Sequence, residues 1–458
     1  MTATTSIHGM WSTRMAFILA ATGSAVGLGN IWRFPYTAGE YGGGAFVLVY
    51  LLCVAAIGIP IMMAEIMLGR RGRQSPINTM RLLATQEGRS PAWQLLGWMG
   101  IVAGFLILSF YSVVAGWTLA YVFRAAGGAF ADMDAETASL MFGHFIADPE
   151  ALLAWHSIFM AMSVAVVARG VANGLESAVR FMMPALFLLL IAMVGYAMTS
   201  GHFVEGATYL FRPDFSKLGT EGILSAMGQA FFSLSLGMGA IMVYGSYLNN
   251  RASIASSVVI IAGTDTLVAI LAGLAIFPLV FANDLTPQLG SGMVFKVLPI
   301  AFGQMPGGRF FGTLFFLLLV FAAWTSAISL LEPMVAWLVE NRGLSRVRAA
   351  MLAGVTVWLL GIASLLSLNL WSDLTLFGMG FMDLCEFVAA NVMLPLGGVL
   401  IAIFAGWMLA RSSSTDELRL GDGIGYRLWR LLIRYVAPIA VAIVLLNAVG
   451  LLKLIGLG

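Results

Sequence analysis

The chain has 458 residues, 60% of them hydrophobic and only 10% charged, with a formal net charge of +2; its mean hydropathy is +0.93. That balance excludes a soluble globular domain and gives no electrostatic reason to expect a nucleic-acid partner. Cys53 and Cys385 both sit in apolar runs, so no disulfide framework is implied.

A bilayer-spanning helix needs about 20 apolar residues. Reading apolar runs between polar breaks predicts an all-α integral membrane protein with eleven spans. They lie near residues 14–37, 43–68, 94–123, 151–168, 178–199, 222–247, 254–281, 310–339, 349–369, 376–409 and 432–452. The polar stretch before the first span lacks the layout of a cleaved signal peptide. The first span is irregular where a membrane helix should be most regular. It reads Gly23-Ser24-Ala25-Val26-Gly27-Leu28-Gly29-Asn30-Ile31-Trp32-Arg33-Phe34-Pro35. Glycine in a helix interior costs about 1 kcal/mol against alanine, and proline cannot donate to the helix ladder. A break near Val26 and Gly27 follows. In hydrocarbon, broken backbone survives only when buried in protein or lining a polar cavity. Its freed carbonyls and amides then suit ions or a zwitterion. The same small residues also suit close helix packing.

Arginines collect in alternate loops: Arg14; Arg70, Arg71, Arg73, Arg81 and Arg89; Arg169 and Arg180; Arg251; Arg342, Arg346 and Arg348; and Arg411, Arg419, Arg427, Arg430 and Arg434. The remaining loops are leaner or acidic, as at Asp132, Asp134, Glu136, Asp148 and Glu150. By the positive-inside rule the amino terminus is expected in the cytoplasm and, after eleven spans, the carboxyl terminus outside. Span six breaks at mid-helix too, within Phe231-Phe232-Ser233-Leu234-Ser235-Leu236-Gly237-Met238-Gly239. Two interrupted helices opening two five-span halves predict an inverted-repeat secondary transporter with its site at mid-membrane. The segment 282–310 carries Pro287, Pro299 and Pro306, and its apolar run 293–299 is too short to span. A re-entrant or capping hairpin on the outer face is expected there, with an amphipathic surface loop as the other reading. No phosphate-binding loop, metal cluster or nucleophile triad is visible, so neither an enzyme nor an ATP-driven pump is expected.

Taken together, Trp11-Ser12-Thr13-Arg14 and the run from Gly23 to Pro35 resemble the first-helix signature of the neurotransmitter:sodium symporter family. Further similar stretches are Gly42-Gly43-Gly44-Ala45-Phe46, Gly58-Ile59-Pro60 with Glu65 and Gly69-Arg70, and Gly116-Trp117-Thr118 after Tyr111. Gly228-Gln229-Ala230-Phe231-Phe232-Ser233-Leu234-Ser235-Leu236-Gly237 and Ala322-Ala323-Trp324-Thr325-Ser326 extend the likeness to about residue 410. Eleven spans resemble the bacterial branch, which implies the inner membrane. The resemblance implies one transmembrane domain over 1–458, with repeats at 11–200 and 220–410 and an extra span at 430–455.

It also implies a function: sodium-coupled symport of an α-amino acid by alternating access, with an amino-acid sensor or a channel on the same fold as the alternative. Two sodium ions are expected. One site would use the carbonyls of Gly23, Val26 and Ala322 with the hydroxyls of Thr325 and Ser326. The other would use Ala25, Asn30, Ser233 and Asp265 with the substrate carboxylate. Many relatives have asparagine where Asp265 stands, and chloride-using relatives have a serine ligand where Ala269 stands. A mid-membrane carboxylate needs positive partners, so chloride independence is expected, with Asp265 as the fixed anion and a candidate proton acceptor. Gly27 matches the amino-acid carriers, whereas monoamine carriers have an aspartate there. The substrate carboxylate would meet the amides of Leu28 and Gly29 and the Tyr111 hydroxyl, at an exposed helix start. Its amine would meet the carbonyls of Ala25 and Phe232 and the Ser326 hydroxyl. Ile107, Phe232, Ser235, Met238, Ser329 and Leu330 would line a pocket for a hydrophobic or aromatic side chain.

For gating, Arg33 is expected to meet Asp383, with Glu386 close behind, beside Tyr111 and Phe232. On the inner side Trp11 matches the family's plug residue. His8 stands where an arginine is usual and Glu340 where its aspartate partner is usual, a departure from the family's inner gate. Glu65 would tie down the unwound backbone of span one. Gly174 and Pro184 resemble a family motif whose unwinding admits water to the second sodium; an ordinary proline kink is the other reading. The partners expected are a small amino acid and membrane lipid, with the protein itself a monomer or a dimer.

Overall fold

The computed structural model describes residues 6–287, 292–421 and 423–454. Among these residues there is no β-strand, only isolated bridges between Gly43 and Pro213 and between Leu376 and Met379. Among the described residues, nine helices are long and apolar enough to cross a membrane: Gly44–Gly72, Pro91–Ala126, Pro149–Ala168, Val171–Met198, Ile254–Phe281, Gly308–Arg342, Arg346–Leu366, Phe381–Met408 and Ile424–Ala448. A tenth span is the bent pair Arg14–Ala25 and Gly29–Glu40, at 60°. Span six is likewise two pieces, Phe215–Ser233 and Ala240–Ser246. The eleven expected spans are therefore accounted for, with spans one and six broken.

Local chemistry explains both breaks. At Val26 the backbone turns extended (ψ 110°) while its amide still reaches the Thr22 carbonyl at 2.7 Å. The next amide, of Gly27, leaves the ladder and donates to Asn30 Oδ1 at 3.0 Å. In span six Ser235, Gly237 and Gly239 all take positive φ, at 54°, 84° and 76°. Gly237 allows no alternative, because a Cβ there would stand 2.6 Å from the Leu394 carbonyl oxygen. Its amide donates at 2.7 Å to the buried carboxylate of Glu65. Glu65 thus ties down the unwound backbone of span six rather than that of span one. Sequence order hid this because Glu65 follows span one closely, whereas the packing of Ile59–Gly72 against Ala240–Ser246 brings it to the other break.

The start of span six agrees with expectation: Asp214 caps a short first turn at Phe215 by accepting the Ser216 amide at 3.1 Å, and a kink at Gly219 (φ 49°) separates that turn from the membrane helix that follows. One span boundary differs. Span eleven starts at Ile424, because Ile424–Leu431 is an amphipathic turn whose arginines hide it from a hydropathy reading. Between spans seven and eight, Met293–Gln304 forms the short apolar helix expected of a capping segment. Phe295, fully buried, stacks on Phe142 at 5.5 Å and meets Trp32 of span one edge-on at 6.3 Å. Span five opens with a wide turn over Val171–Glu176, and Pro184 lies within its helix. At the end of span one, the Asp214 amide donates to the Gly42 carbonyl at 3.0 Å and the Gly44 amide to the Arg212 carbonyl at 3.2 Å.

Gly237→Ala is expected to destabilise the protein. It must strain a left-handed backbone position, at about 1–3 kcal/mol, and push against the Leu394 carbonyl. The check is the thermal unfolding midpoint of the purified protein, which should fall by several degrees.

Candidate functional site

The two breaks face each other across one cavity. All of Ala25, Gly27, Leu28, Gly29, Ile107, Tyr111, Phe232, Ser233, Ser235, Met238, Ser326, Ser329 and Leu330 line it, joined by Ser24 and Asn30. Polar groups gather at the span-one end, where the Leu28 amide approaches the Tyr111 hydroxyl at 3.4 Å. Ile107, Phe232, Met238 and Leu330 supply apolar wall. Gly27 keeps the cavity open: a Cβ there would stand 3.2 Å from both Ser326 Oγ and the Tyr111 oxygen.

One cluster of oxygens gathers where span one ends its first half. The Ser326 hydroxyl lies 3.3 Å from the Gly23 carbonyl, 3.3 Å from that of Ser24 and 3.1 Å from that of Val26. One proton cannot satisfy three carbonyls, so at least two of these contacts leave lone pairs to spare. The Thr325 hydroxyl donates back to the carbonyls of Phe321, at 3.0 Å, and Ala322, at 3.1 Å. Gly23 packs against the Thr325 side chain. The Gly23 and Val26 carbonyls thus share the Ser326 hydroxyl, and the Thr325 hydroxyl, on a side chain packed against Gly23, bonds the Ala322 carbonyl; these are uncharged oxygens of the kind a hard monovalent cation takes.

A second cluster carries charge. Asn30 Nδ2 donates to Ser233 Oγ at 3.0 Å and to Asp265 Oδ1 at 2.8 Å. The Ser233 hydroxyl donates to Asp265 Oδ2, which the Tyr50 hydroxyl approaches at 3.4 Å. Asp265 is fully buried, and among the described residues no basic side chain pairs with it. A buried carboxylate with only neutral donors is a candidate site for a cation or a proton. Ala25 lines the same cavity, so the four residues of this group lie together.

The face bearing the amino terminus is packed shut. Trp11, buried, donates from its indole to the Tyr244 carbonyl at 3.0 Å and meets the Tyr244 ring edge-on at 5.3 Å. His8 Nε2 lies 2.9 Å from Glu340 Oε1, which also accepts the Ser75 amide at 2.7 Å. Asn78 takes the other Glu340 oxygen at 2.7 Å. Toward the opposite face, Tyr111, Phe232 and Arg33 keep partial exposure. Arg33 sits 5.7 Å from the centre of the Phe232 ring. Glu386 is a carboxylate whose charge bears on Arg33, and Arg33 and Asp383 both bear on Glu386. The helical register explains this, since Glu386 is three residues deeper along span ten.

Sequence reasoning passed over three participants. Ser24 was visible inside the glycine-rich run, and its carbonyl accepts from Ser235 at 2.7 Å while its hydroxyl meets Ser329 Oγ at 2.8 Å. Tyr50 carried no local signal. Neither did the fully buried Glu332, which accepts from Tyr247 at 2.6 Å and forms an ion pair with Arg346 beneath the Trp11 plug.

The sodium:neurotransmitter symporter family model matches residues 8–133 and 144–455. The chain is similar to an uncharacterized sodium-dependent transporter of Bacillus subtilis, YhdH, at 40% identity over 97% of this chain and 98% of that protein. It is 32% identical to another uncharacterized sodium-dependent transporter, from Haemophilus influenzae, over 95% of this chain and 97% of that one. Among solved structures it resembles MhsT in complex with L-phenylalanine, with a TM-score of 0.88 and 46% identity over 96% of this chain and 99% of that chain.

Glu340→Ala would leave His8, the Ser75 amide and Asn78 without their shared acceptor. An unmade buried hydrogen bond costs about 1–3 kcal/mol, so amide hydrogen exchange around residues 8–13 and 75–79 should quicken roughly tenfold or more. Exchange near Phe295, on the other face, should not change.

Proposed function

The chain belongs to the sodium:neurotransmitter symporter family, and from that premise we propose that it imports an α-amino acid with a large apolar or aromatic side chain, coupled to two sodium ions and without chloride. The observation that carries this reading is the meeting of two broken helices over one cavity with two adjoining oxygen clusters, one neutral and one built on Asp265. In the proposed reaction a sodium ion replaces the Ser326 proton as the partner of the Gly23 and Val26 carbonyls. A second ion sits by Ala25, Asn30, Ser233 and Asp265, where it also meets the substrate carboxylate.

The substrate carboxylate is held at the Leu28 and Gly29 amides and the Tyr111 hydroxyl, where the second half of span one presents its positive end. Gly27 leaves the amine to backbone carbonyls. Met238, flexible and polarisable, with Ile107, Phe232 and Leu330, receives the side chain; the L-phenylalanine in the MhsT structure supports an aromatic one. Two sodium ions and a zwitterion bring two positive charges into a dry site. Asp265 offsets one of them, and Ala269 offers no hydroxyl to a halide.

Each sodium ion entering through a potential of 100 mV releases about 2.3 kcal/mol, plus its concentration term. Alternating access then requires the two faces to open in turn. The inner barrier is Trp11 with the His8–Glu340 contact; the outer one is Tyr111, Phe232 and Arg33, facing Glu386. The orientation follows the arginine-rich loops, with the amino terminus cytoplasmic in a bacterial inner membrane.

The deciding measurement is uptake of labelled leucine, tryptophan, tyrosine, alanine, glycine and GABA into proteoliposomes, with sodium, with potassium, and with sodium but no chloride. Accumulation of a large apolar α-amino acid that needs sodium and ignores chloride is expected. A chloride requirement would overturn the role given to Asp265. Thr325→Ala removes one oxygen from the neutral cluster, at about 1.5–3 kcal/mol for a bond to a charged group. The sodium concentration for half-maximal uptake should rise roughly tenfold or more, with substrate affinity at saturating sodium nearly unchanged.

A further inference from the structure

Where span eleven begins, four arginines share one cavity. Arg411, Arg427, Arg430 and Arg434, with Tyr426 and Tyr435, line an open hollow of about 430 Å³ in which, among the described residues, no carboxylate takes part. Arg430 and Arg434 are held in place rather than loosely solvated. Arg430 donates to the Tyr426 hydroxyl at 2.7 Å. Arg434 donates from Nε to the Gly406 carbonyl at 2.6 Å and lies 4.9 Å from the centre of the Trp407 ring. Arg427 has no hydrogen bond or ion pair among the described residues. Arg427, Arg430 and Arg434 bring like charges to one hollow, and among the described residues no carboxylate in its lining offsets them.

The depth of this hollow can be read from its neighbours. Leu428, Leu431, Tyr435, Ile439 and Ile443 are exposed at spacings of three and four residues, an apolar stripe running down span eleven. The stripe starts on the same turns as the arginines, so the hydrocarbon begins there. Trp407 and Tyr435, in edge contact at 5.4 Å, are the amphipathic aromatics expected at headgroup level. The hollow also lies on the arginine-rich face. Arg70 bonds Glu417, and Arg71 donates to Ser413 at 3.0 Å, joining the loop after span two to the one after span ten.

We propose that this hollow binds the phosphate of an anionic phospholipid, whose acyl chains lie along the exposed stripe of span eleven. Guanidinium forks match phosphate oxygens in geometry as well as charge. A zwitterionic lipid brings its own cation to a hollow lined by arginines, whereas an anionic one brings only the charge that Arg427, Arg430 and Arg434 attract. Through Arg434 and the Gly406 carbonyl the bound lipid would brace the end of span ten against the start of span eleven. Nothing in this proposal depends on which substrate is carried.

The test is retention of phosphatidylglycerol, phosphatidylcholine or soluble glycerol 3-phosphate by the full-length protein in detergent, read by native mass spectrometry. Selective retention of phosphatidylglycerol is expected. Arg427→Gln, at an exposed position with no structural bond to lose, should weaken it about fivefold, the share of one cation near an anionic surface. Arg430→Lys should keep most of the binding. Arg251→Gln, an exposed arginine of another loop on the same face, should leave it unchanged. Equal retention of phosphatidylcholine, or an equal loss in Arg251→Gln, would overturn the site. Glycerol 3-phosphate displacing the lipid at millimolar concentration would overturn the lipid assignment in favour of a soluble anion.

Discussion

Backbone that leaves a helix in the middle of a membrane must find partners, because no solvent is there to supply them. Much else in this protein follows from that requirement. The Gly27 amide is met by Asn30, the Gly237 amide by Glu65, and the Ser24 carbonyl by Ser235 and Ser326. These partners come from spans two, six and eight as well as span one itself. The cavity walls are therefore fixed by the same bonds that make the broken helices tolerable. What the protein leaves incompletely met is as informative as what it satisfies: carbonyls sharing one hydroxyl proton at Ser326, and a carboxylate at Asp265 with neutral donors alone.

The two faces of the molecule are built with different chemistry. Toward the amino-terminal face, closure is polar and highly connected, with Glu340 serving three donors and Glu332 buried under the Trp11 plug against Arg346. A buried ion pair of this kind is costly to separate, because each partner would be left charged and dry. Toward the other face, the contacts are aromatic and partly exposed, with Arg33 resting on Phe232 at 5.7 Å. Such contacts are weak where they are exposed. The unequal grip of the two faces accounts for a cavity that is sealed on one side and only screened on the other.

Much of this was legible before any coordinates. Hydropathy gave the spans, and the clash between glycine, asparagine and proline and the needs of a membrane helix located the first break at Val26 and Gly27. The residues grouped by likeness around the cavity do lie together. What stayed hidden has a common cause: it depends on contacts between distant parts of the chain. Glu65 follows span one in sequence but packs on span six. Tyr50 and Glu332 look like any polar residue in an apolar run until their partners are known. The choice between Asp383 and Glu386 turned on helical register, which a loose reading of residues 376–386 does not fix. The start of span eleven was missed because arginines that belong at the lipid headgroups look like loop.

Between Gly42–Gly44 and Arg212–Asp214 a small two-sided bridge joins the exit of span one to the entry of span six. It is made of backbone alone, so it is indifferent to side-chain rotamers, and a Cβ at Gly43 would stand 2.5 Å from the Tyr209 carbonyl oxygen, leaving it little room to slide. Its mechanical effect is that of a coupling rod. Rotation of the outer half of span one is handed directly to the lead-in of span six, so the two broken helices share one degree of freedom on this side of the membrane. A displacement of either half-helix on this side is then one cooperative movement instead of two independent ones.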